Sequence, residues 1–181
     1  MTWPERIDGG DFLLRAWRED DAAALALHAN DAAVARCLGE RFPHPYSLDD
    51  AHWFIAHACT ARDEKVYAIE INGEACGSVG VRPGEGVERH SAELGYWVSR
   101  VYWGEGIATA AVRAIIPHAL RELDLHRLYA RVFADNPASM RVLERCGFAH
   151  EAILRRQVVK DTRLLDLHIY AITREHRDAP G

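Results

Sequence analysis

Two glycines, Gly104 and Gly106, stand between a strand-like segment and a helix-like segment that begins at Ile107. Glycine allows backbone conformations in which successive N–H groups turn toward one point. Those groups lie at the positive end of the following helix, where an anion such as a diphosphate is bound favourably. The spacing therefore predicts an anion site over residues 103–109, to which Thr109 can add a hydroxyl. An ordinary structural turn has the same Gly-x-Gly pattern and stays open as the alternative.

The two familiar nucleotide-binding turns do not fit this segment. A P-loop needs Gly-Lys followed by Ser or Thr, and the sequence has no such run. A Rossmann turn needs an acidic residue at the end of the next strand and a third glycine near residues 107–109, where none occurs. Neither motif therefore explains the two glycines.

The elements that must position this turn can be predicted from hydrophobic spacing and capping signals. We predict strands at residues 12–17, 66–71, 75–81, 92–98, 127–134, 152–159 and 164–173. We predict helices at residues 22–29, from Asp31 to near Gly39, after the capping-box-like Ser47–Asp50, at residues 107–123 with a kink at Pro117, and from the N-cap Asn136 to Gly147.

The order of these elements predicts the fold class. Asn72-Gly73 is a strong signal for a two-residue hairpin. Hairpins together with one strand-helix-strand crossover indicate a mixed sheet with helices on it, in the α/β or α+β class. A length of 181 residues suits a single domain, residues 1–181, with its core at about 12–173.

Composition excludes several classes of partner. The net charge of -5 argues against nucleic acid, whose phosphates require a basic face. No stretch is long and apolar enough to span a bilayer, and the N-terminus lacks the apolar run of a signal peptide. We therefore expect a cytoplasmic protein with no nucleic-acid or membrane partner.

Cysteine and histidine spacing gives no metal motif. The cysteines form no Cys-x-x-Cys pair, His52 and His57 are spaced wrongly for one helix face, and His-Glu-x-x-His does not occur. The sequence therefore predicts neither a metal site nor a disulfide framework. The four scattered cysteines are Cys37, Cys59, Cys76 and Cys146.

Two segments carry a specific resemblance. Residues 102–109, Tyr-Trp-Gly-Glu-Gly-Ile-Ala-Thr, resemble the pyrophosphate loop of the GNAT acetyltransferase superfamily, and most closely its RimJ/RimL-type branch, which acetylates protein N-termini. Residues 136–148, Asn-Pro-Ala-Ser-Met-Arg-Val-Leu-Glu-Arg-Cys-Gly-Phe, are similar to the second signature of that branch. Residues 13–21 and 93–98 fit it as well, so the resemblance covers nearly the whole chain.

The resemblance implies a GNAT-like, mostly antiparallel, seven-stranded sheet flanked by helices, with acetyl-coenzyme A (acetyl-CoA) as cosubstrate. Pantetheine would lie between the strands at 92–98 and 127–134, which splay apart, and a backbone N–H near Trp97 or Val98 would polarise the thioester carbonyl. The residues expected to contact the cofactor are Trp97, Val98, Trp103, Gly104, Glu105, Gly106, Ile107, Ala108, Thr109, Asn136 and Ser139.

The implied chemistry is direct attack of a neutral amine on the thioester. Ser139 would protonate the leaving thiolate, and Glu93 would act as the base, directly or through water. Each has a structural alternative: Glu93 as a solvated strand carboxylate, Ser139 as an exposed helix serine. Asn136 can equally be only an N-cap. Tyr96, like its neighbour Trp97, is interpreted as a core residue.

Three positions depart from the family pattern. Trp103 stands where the superfamily loop usually begins with Gln or Arg, a change that is common in the RimJ/RimL branch. Leu143 occupies the position of the tyrosine general acid that many members carry. RimL-type enzymes offer a carboxylate at a position that corresponds to about Val158 here. Valine cannot supply that group, which weakens the case for a ribosomal-protein acceptor.

The acceptor is predicted from proton availability. A lysine side chain of pKa ~10.4 is about 0.04% neutral at pH 7, whereas an α-amino group of pKa ~7.7–8.0 is roughly 10–15% neutral. We therefore expect the N-terminal α-amine of a protein or peptide. A polyamine, an aminoglycoside or an amino-acid-like small molecule stays open as acceptor. A non-catalytic acyl-CoA-binding module and a homodimer also stay open.

Overall fold

The computed structural model describes residues 3–61 and 64–174. Eight strands are formed: β1 (Arg6–Asp8), β2 (Leu13–Arg15), β3 (Lys65–Ile71), β4 (Glu74–Pro83), β5 (Ser91–Val98), β6 (Arg127–Phe133), β7 (Ala149–Lys160) and β8 (Arg163–Thr173). Five α-helices accompany them: α1 (Ala22–Ala29), α2 (Ala32–Arg36), α3 (Leu48–Thr60), α4 (Ile107–Glu122) and α5 (Pro137–Arg145).

All eight strands join one sheet in the order β1-β2-β3-β4-β5-β6-β8-β7. Every neighbouring pair is antiparallel except β5 and β6, which are parallel and are connected by α4. The mixed, mostly antiparallel sheet with flanking helices confirms the predicted fold class. Among the described residues, no helix is long and apolar enough to cross a membrane.

The sheet has one strand more than the seven predicted. The additional strand is β1, whose three residues pair antiparallel with β2. The turn between them is held by the Asp8 carboxylate, which accepts a hydrogen bond from the N–H of Gly10 at 2.8 Å, while Gly10 itself takes a φ of 84°. A strand of three residues is too short to show a hydrophobic alternation, so the pattern could not reveal it.

Two hydrophobic clusters cover the two faces of the sheet. One joins α4 and α5 to the sheet through fully buried side chains such as Ile115 and Leu143. The other joins α1 and α3 to the opposite face through Leu25 and Ile55. Each strand between them is therefore buried on both sides over part of its length, and its side chains alternate between the clusters.

Local signals in the sequence fold as predicted. Ser47 and Asp50 form a capping box at the start of α3, and Asn72-Gly73 makes the β3–β4 hairpin with φ values of 52° and 86°. Helix α4 continues through Pro117. Helix α2 ends earlier than predicted, because the Cys37 N–H already bonds to the carbonyl three residues back and tightens the last turn.

Candidate active site

Strands β5 and β6 separate shortly after they begin. They pair only where Ser91–Glu93 faces Arg127–Tyr129, although β5 continues to Val98 and β6 continues to Phe133. Strand β5 stays paired with β4 up to Val98 on its other edge. One edge of β5 beyond Glu93 therefore borders a gap, as predicted for the two splaying strands.

The glycine-rich turn follows the end of β5 that borders this gap. A short 3-10 turn at Arg100–Tyr102 follows the strand, and the Trp103 indole N–H returns to donate to the Val98 carbonyl at 2.9 Å. Gly104 and Gly106 then take φ values of 88° and 84°, in the left-handed region that favours glycine. An added Cβ on either glycine would meet no atom within 4 Å, so backbone conformation and not space requires glycine.

Helix α4 begins directly after this turn. Its first intrahelical hydrogen bond runs from the Ala110 N–H to the Gly106 carbonyl, and the N–H groups before it are those that a helix cannot satisfy internally. The side chains of Ile107 and Thr109 are buried, with 7% and 9% exposed. At the turn these two residues therefore offer mainly their backbone N–H groups, and Ala108 between them is half-buried.

The carboxylate-rich cavity next to the turn is unsuitable for phosphate. This cavity of about 970 Å³ is lined by Glu105 and by the acidic side chains Asp8, Asp11 and Glu70, among others. Four carboxylates, of which Glu70 is paired with Arg15, outnumber the one cation among the described lining residues, Arg6, and this negative excess disfavours a diphosphate. Glu105 can therefore contribute to an anion site through its backbone alone.

Asn136 and Ser139 lie at the start of α5. The Asn136 side-chain oxygen accepts a hydrogen bond from the Ser139 N–H at 3.1 Å, and Pro137 occupies the first helical position. Asn136 is thus the N-cap that the sequence predicted. Its amide nitrogen is a second polar group at the same helix end.

Tyr96, which the sequence assigns to the core, packs against the hydrophobic cluster under α4 and α5 and also contacts Ser139. Its hydroxyl lies 2.7 Å from the Ser139 Oγ and also donates to the Ser139 carbonyl at 3.2 Å. Burial raises the pKa of the Tyr96 phenol well above its ordinary value, so the hydroxyl stays protonated at neutral pH. The signal available in the sequence was its strand position, two residues from the buried Leu94 and therefore on the same face.

Glu93 lies on the opposite face of β5. It alternates with Tyr96 and shares its face with Trp97, whose ring packs against Phe42 at a centroid distance of 5.4 Å. Glu93 faces Tyr129 in the last pair between β5 and β6 and therefore lies at the start of the gap. Burial, followed by the charge of Glu93, raises the pKa of the Tyr129 phenol. The two predicted catalytic residues therefore flank the gap from opposite faces of the sheet.

The positions that departed from the family pattern are explained by their surroundings. Leu143 is 0% exposed and belongs to the cluster between α5 and the sheet, so it contributes packing. Val158 faces Leu165 of β8 and lies on β7, the edge strand that β6 and β8 separate from β5. Ser139, one turn before Leu143, is the hydroxyl that this helix presents to Tyr96.

Comparison with known proteins finds N-acetyltransferases among the relatives of this chain. The chain is 35% identical over 101 residues to the putative ribosomal N-acetyltransferase YdaF of Bacillus subtilis, covering 56% of this chain and 55% of that protein. It is 28% identical to the spermidine N(1)-acetyltransferase of Escherichia coli, covering 80% and 76%. The matched segments span 38% to 55% of the length of the first three curated relatives.

Solved structures extend the match to nearly the whole chain. The structure of Mycobacterium smegmatis RimJ in complex with CoA-disulfide has a TM-score of 0.82 and 29% identity, covering 94% of this chain and 88% of that one. The family model described as an acetyltransferase (GNAT) domain matches residues 11–149, which include the gap, the glycine-rich turn and the start of α5. The chain belongs to the GNAT acetyltransferase family.

Proposed function

We propose that this protein is an acetyl-CoA-dependent N-acetyltransferase that transfers acetyl to a primary amine. The observation that carries the proposal is the gap between β5 and β6, which ends at a turn built from two left-handed glycines and a helix N-terminus. The free edge of β5 suits an amide-containing chain such as pantetheine, because amides can pair with strand N–H and C=O groups. The N–H groups before Ala110 suit the diphosphate at its end.

The proposed chemistry is a direct transfer. The neutral amine nitrogen attacks the thioester carbonyl carbon, the carbon–sulfur bond breaks, and the sulfur leaves as a thiolate that takes a proton. The nitrogen loses one of its two protons to solvent, from which the proton donor is restored. A backbone N–H of Trp97 or Val98 would stabilise the oxyanion of the intermediate. Because a free thiol has a pKa of ~8.5, the leaving sulfur needs only modest help from an acid.

Ser139 supplies that acid in this proposal, supported by Tyr96. A serine that gives its proton to sulfur needs a hydrogen-bond donor for the oxygen it leaves behind. The Tyr96 phenol lies 2.7 Å away and is protonated, so it can donate to that oxygen. Tyr96 is thus a positioning residue that acts through Ser139.

The acceptor approaches from the face of Glu93 and Trp97 in this proposal. A cavity of about 380 Å³ opens beside Phe42, which contacts Trp97. Its lining combines the cations Arg36 and Lys160 with carboxylates. Mixed charge suits a peptide chain better than a polyamine, which would require acidic groups alone. The preferred acceptor is therefore a peptide N-terminal α-amine, and the protein would act in the cytoplasm, where such thioesters and acceptors meet.

Cofactor binding should raise thermal stability. Acetyl-CoA at a hundredfold excess over its Kd stabilises the folded state by about 2.7 kcal/mol through mass action. Differential scanning fluorimetry against acetyl-CoA, NAD and ATP measures this directly. The last two should shift the Tm much less, because neither has a pantetheine arm. An unchanged Tm at millimolar acetyl-CoA would contradict the proposed cofactor.

Acceptor preference is tested with two matched peptides. A peptide with a free N-terminus should be acetylated faster than the same peptide blocked there and carrying one internal lysine, because its amine is already partly neutral near pH 7. We expect kcat/KM to rise with pH toward the acceptor's own amine pKa, and Glu93→Gln to cost little.

Two results would change this part of the proposal. A loss of about a hundredfold in Glu93→Gln would fit general-base catalysis and assign that role to Glu93. Preference for the internal lysine, or activity confined to polyamines such as spermidine, would overturn the α-amine acceptor and leave acetyl transfer itself standing.

A further inference from the structure

Three side chains with metal-binding atoms meet at the end of the sheet near α1. They are His28 in the last turn of α1, and Glu74 and Cys76 at the start of β4. Their ligand atoms all lie within 4.8 Å of one another. Cys76 is fully buried, the His28 side chain is 11% exposed, and the Glu74 side chain is 63% exposed. Cys76 and His28 thus lie on the protein side of the cluster, and the Glu74 carboxylate lies on the solvent side.

Two of the three separations between these atoms fit a tetrahedral metal site. His28 Nε2 lies 3.4 Å from the Cys76 Sγ and 3.4 Å from a Glu74 carboxylate oxygen. Zinc bonds of about 2.3 Å to sulfur and 2.0–2.2 Å to nitrogen and oxygen imply separations of roughly 3.3–3.6 Å between tetrahedral ligands. Both distances from Nε2 fall in that interval. The sulfur and the carboxylate oxygen lie within 4.8 Å, so a small shift of the largely exposed Glu74 side chain would complete the site.

A second residue orients the histidine. The Ser99 hydroxyl lies 3.0 Å from His28 Nδ1, and Ser99 is 97% buried. When Nδ1–H donates to this hydroxyl, Nε2 keeps its lone pair and faces Cys76 and Glu74. A hydrogen bond to the non-ligating nitrogen is the usual support of a metal-bound histidine.

We propose that His28, Glu74 and Cys76 form a binding site for a thiophilic divalent cation, with Zn²⁺ as the expected metal. Binding would form bonds from the metal to Nε2, Sγ and a carboxylate oxygen, and the thiol proton would be released to solvent. Sulfur and imidazole ligands favour zinc over magnesium or calcium. Three protein ligands leave a fourth position for water on the exposed side.

The site would brace the approach to the glycine-rich turn. The Ser99 N–H donates to the Cys76 carbonyl at 2.7 Å, and the Tyr102 N–H donates to the Ser99 carbonyl at 3.0 Å. The same backbone continues into Trp103 and Gly104. A metal at His28 and Cys76 would therefore hold the segment that leads from β5 to the predicted anion site.

The test uses the full chain without CoA, because the CoA thiol itself binds zinc. Calorimetry with ZnCl₂ should show one tight site, and the Tm should rise. Titration with Co²⁺ should produce a thiolate-to-cobalt charge-transfer band. Cys76→Ser should abolish the band, Glu74→Gln should weaken zinc binding at least tenfold, and Ser99→Ala should weaken it by about 10–100-fold. Because Glu74 is largely exposed, Glu74→Gln keeps the test informative if Cys76→Ser does not fold.

Two other groups serve as controls. Cys59 is an exposed thiol on α3, and His150 and His168 form a ring pair with nitrogens 3.1 Å apart on β7 and β8. Cys59→Ser and His150→Ala should leave the band and the zinc affinity unchanged. A band that persists in Cys76→Ser, a band lost in Cys59→Ser, zinc affinity lost in His150→Ala, or no saturable zinc binding at all would each overturn the proposal.

Discussion

Ser139→Ala should lower kcat by about a hundredfold, the lower end of the usual range for general acid catalysis, and leave the affinity for acetyl-CoA nearly unchanged. The substitution removes the hydroxyl that the proposal assigns to protonating the thiolate. It keeps the backbone N–H that donates a hydrogen bond to the Asn136 side-chain oxygen, so the cap of α5 is preserved. Steady-state kinetics with calorimetric titration of CoA separate the two effects.

Tyr96→Phe and Asn136→Ser are the matched variants for this prediction. Tyr96→Phe should lower kcat by about tenfold, since a hydrogen bond to a developing charge contributes about 1.5 kcal/mol or more. Asn136→Ser keeps a favoured N-cap and should weaken cofactor affinity if the amide contacts the cofactor. An unchanged kcat in Ser139→Ala would assign that serine to structure, whereas unchanged affinity in Asn136→Ser would make Asn136 a cap only.

Gly106→Val should weaken CoA binding at least tenfold, the equivalent of about 1.4 kcal/mol, without unfolding the protein. Valine disfavours the φ of 84° that Gly106 adopts, and its branched side chain would occupy the space from which the helix N–H groups are reached. Open space around the added Cβ means that no packed neighbour is displaced. Circular dichroism and calorimetric titration test both halves.

Gly86→Val is a close control for this change. Gly86 also lies in the left-handed region, with a φ of 56°, and has no atom within 4 Å of an added Cβ, but it lies in the turn between β4 and β5, at the opposite end of β5 from the glycine-rich turn. Its substitution should carry a similar backbone strain and leave CoA affinity intact. If both valine variants lost affinity equally, strain would explain the effect, and if neither did, the glycine-rich segment would be a structural turn only.

Sequence reasoning succeeded where the determinant is local. Helix α4 begins directly after Gly106. Both signals for this start, a glycine that can adopt the left-handed conformation and the apolar spacing after Ile107, lie in consecutive residues. The Asn136 cap and the Asn72-Gly73 hairpin are local for the same reason. These local features form as predicted, whereas the anion site at the start of α4 stays a prediction.

Sequence reasoning failed where partners come from distant elements. Tyr96 and Ser139 are 43 residues apart, and only the packing of α5 on the sheet brings their hydroxyls together. His28 and Glu74 are 46 residues apart on a helix and a strand, so no motif spacing could indicate their proximity. The prediction of no metal site rested on spacing alone, and the cluster at His28 is the reason to test it.

The sequence predicts only in part on which face of the sheet each catalytic candidate lies. Because successive side chains of β5 point to opposite faces of the sheet, Glu93 and Tyr96 lie on different faces, and the sequence shows this once the strand is assigned. Which face carries α5 and Ser139 depends on the crossover through α4 and cannot be read from the strand itself. Only the tertiary structure therefore shows that Glu93 and Ser139 lie on opposite sides of one gap.

Thiol release from acetyl-CoA, combined with mass spectrometry of the acceptor, tests the central proposal most directly. With a panel of free-N-terminus peptides and small amines, the wild-type protein should release one thiol for each acetyl group that appears on an amine. Ser139→Ala should slow both signals together. Binding of acetyl-CoA without thiol release or acetylated product from any amine in the panel would contradict an acetyltransferase and favour an acyl-CoA-binding module.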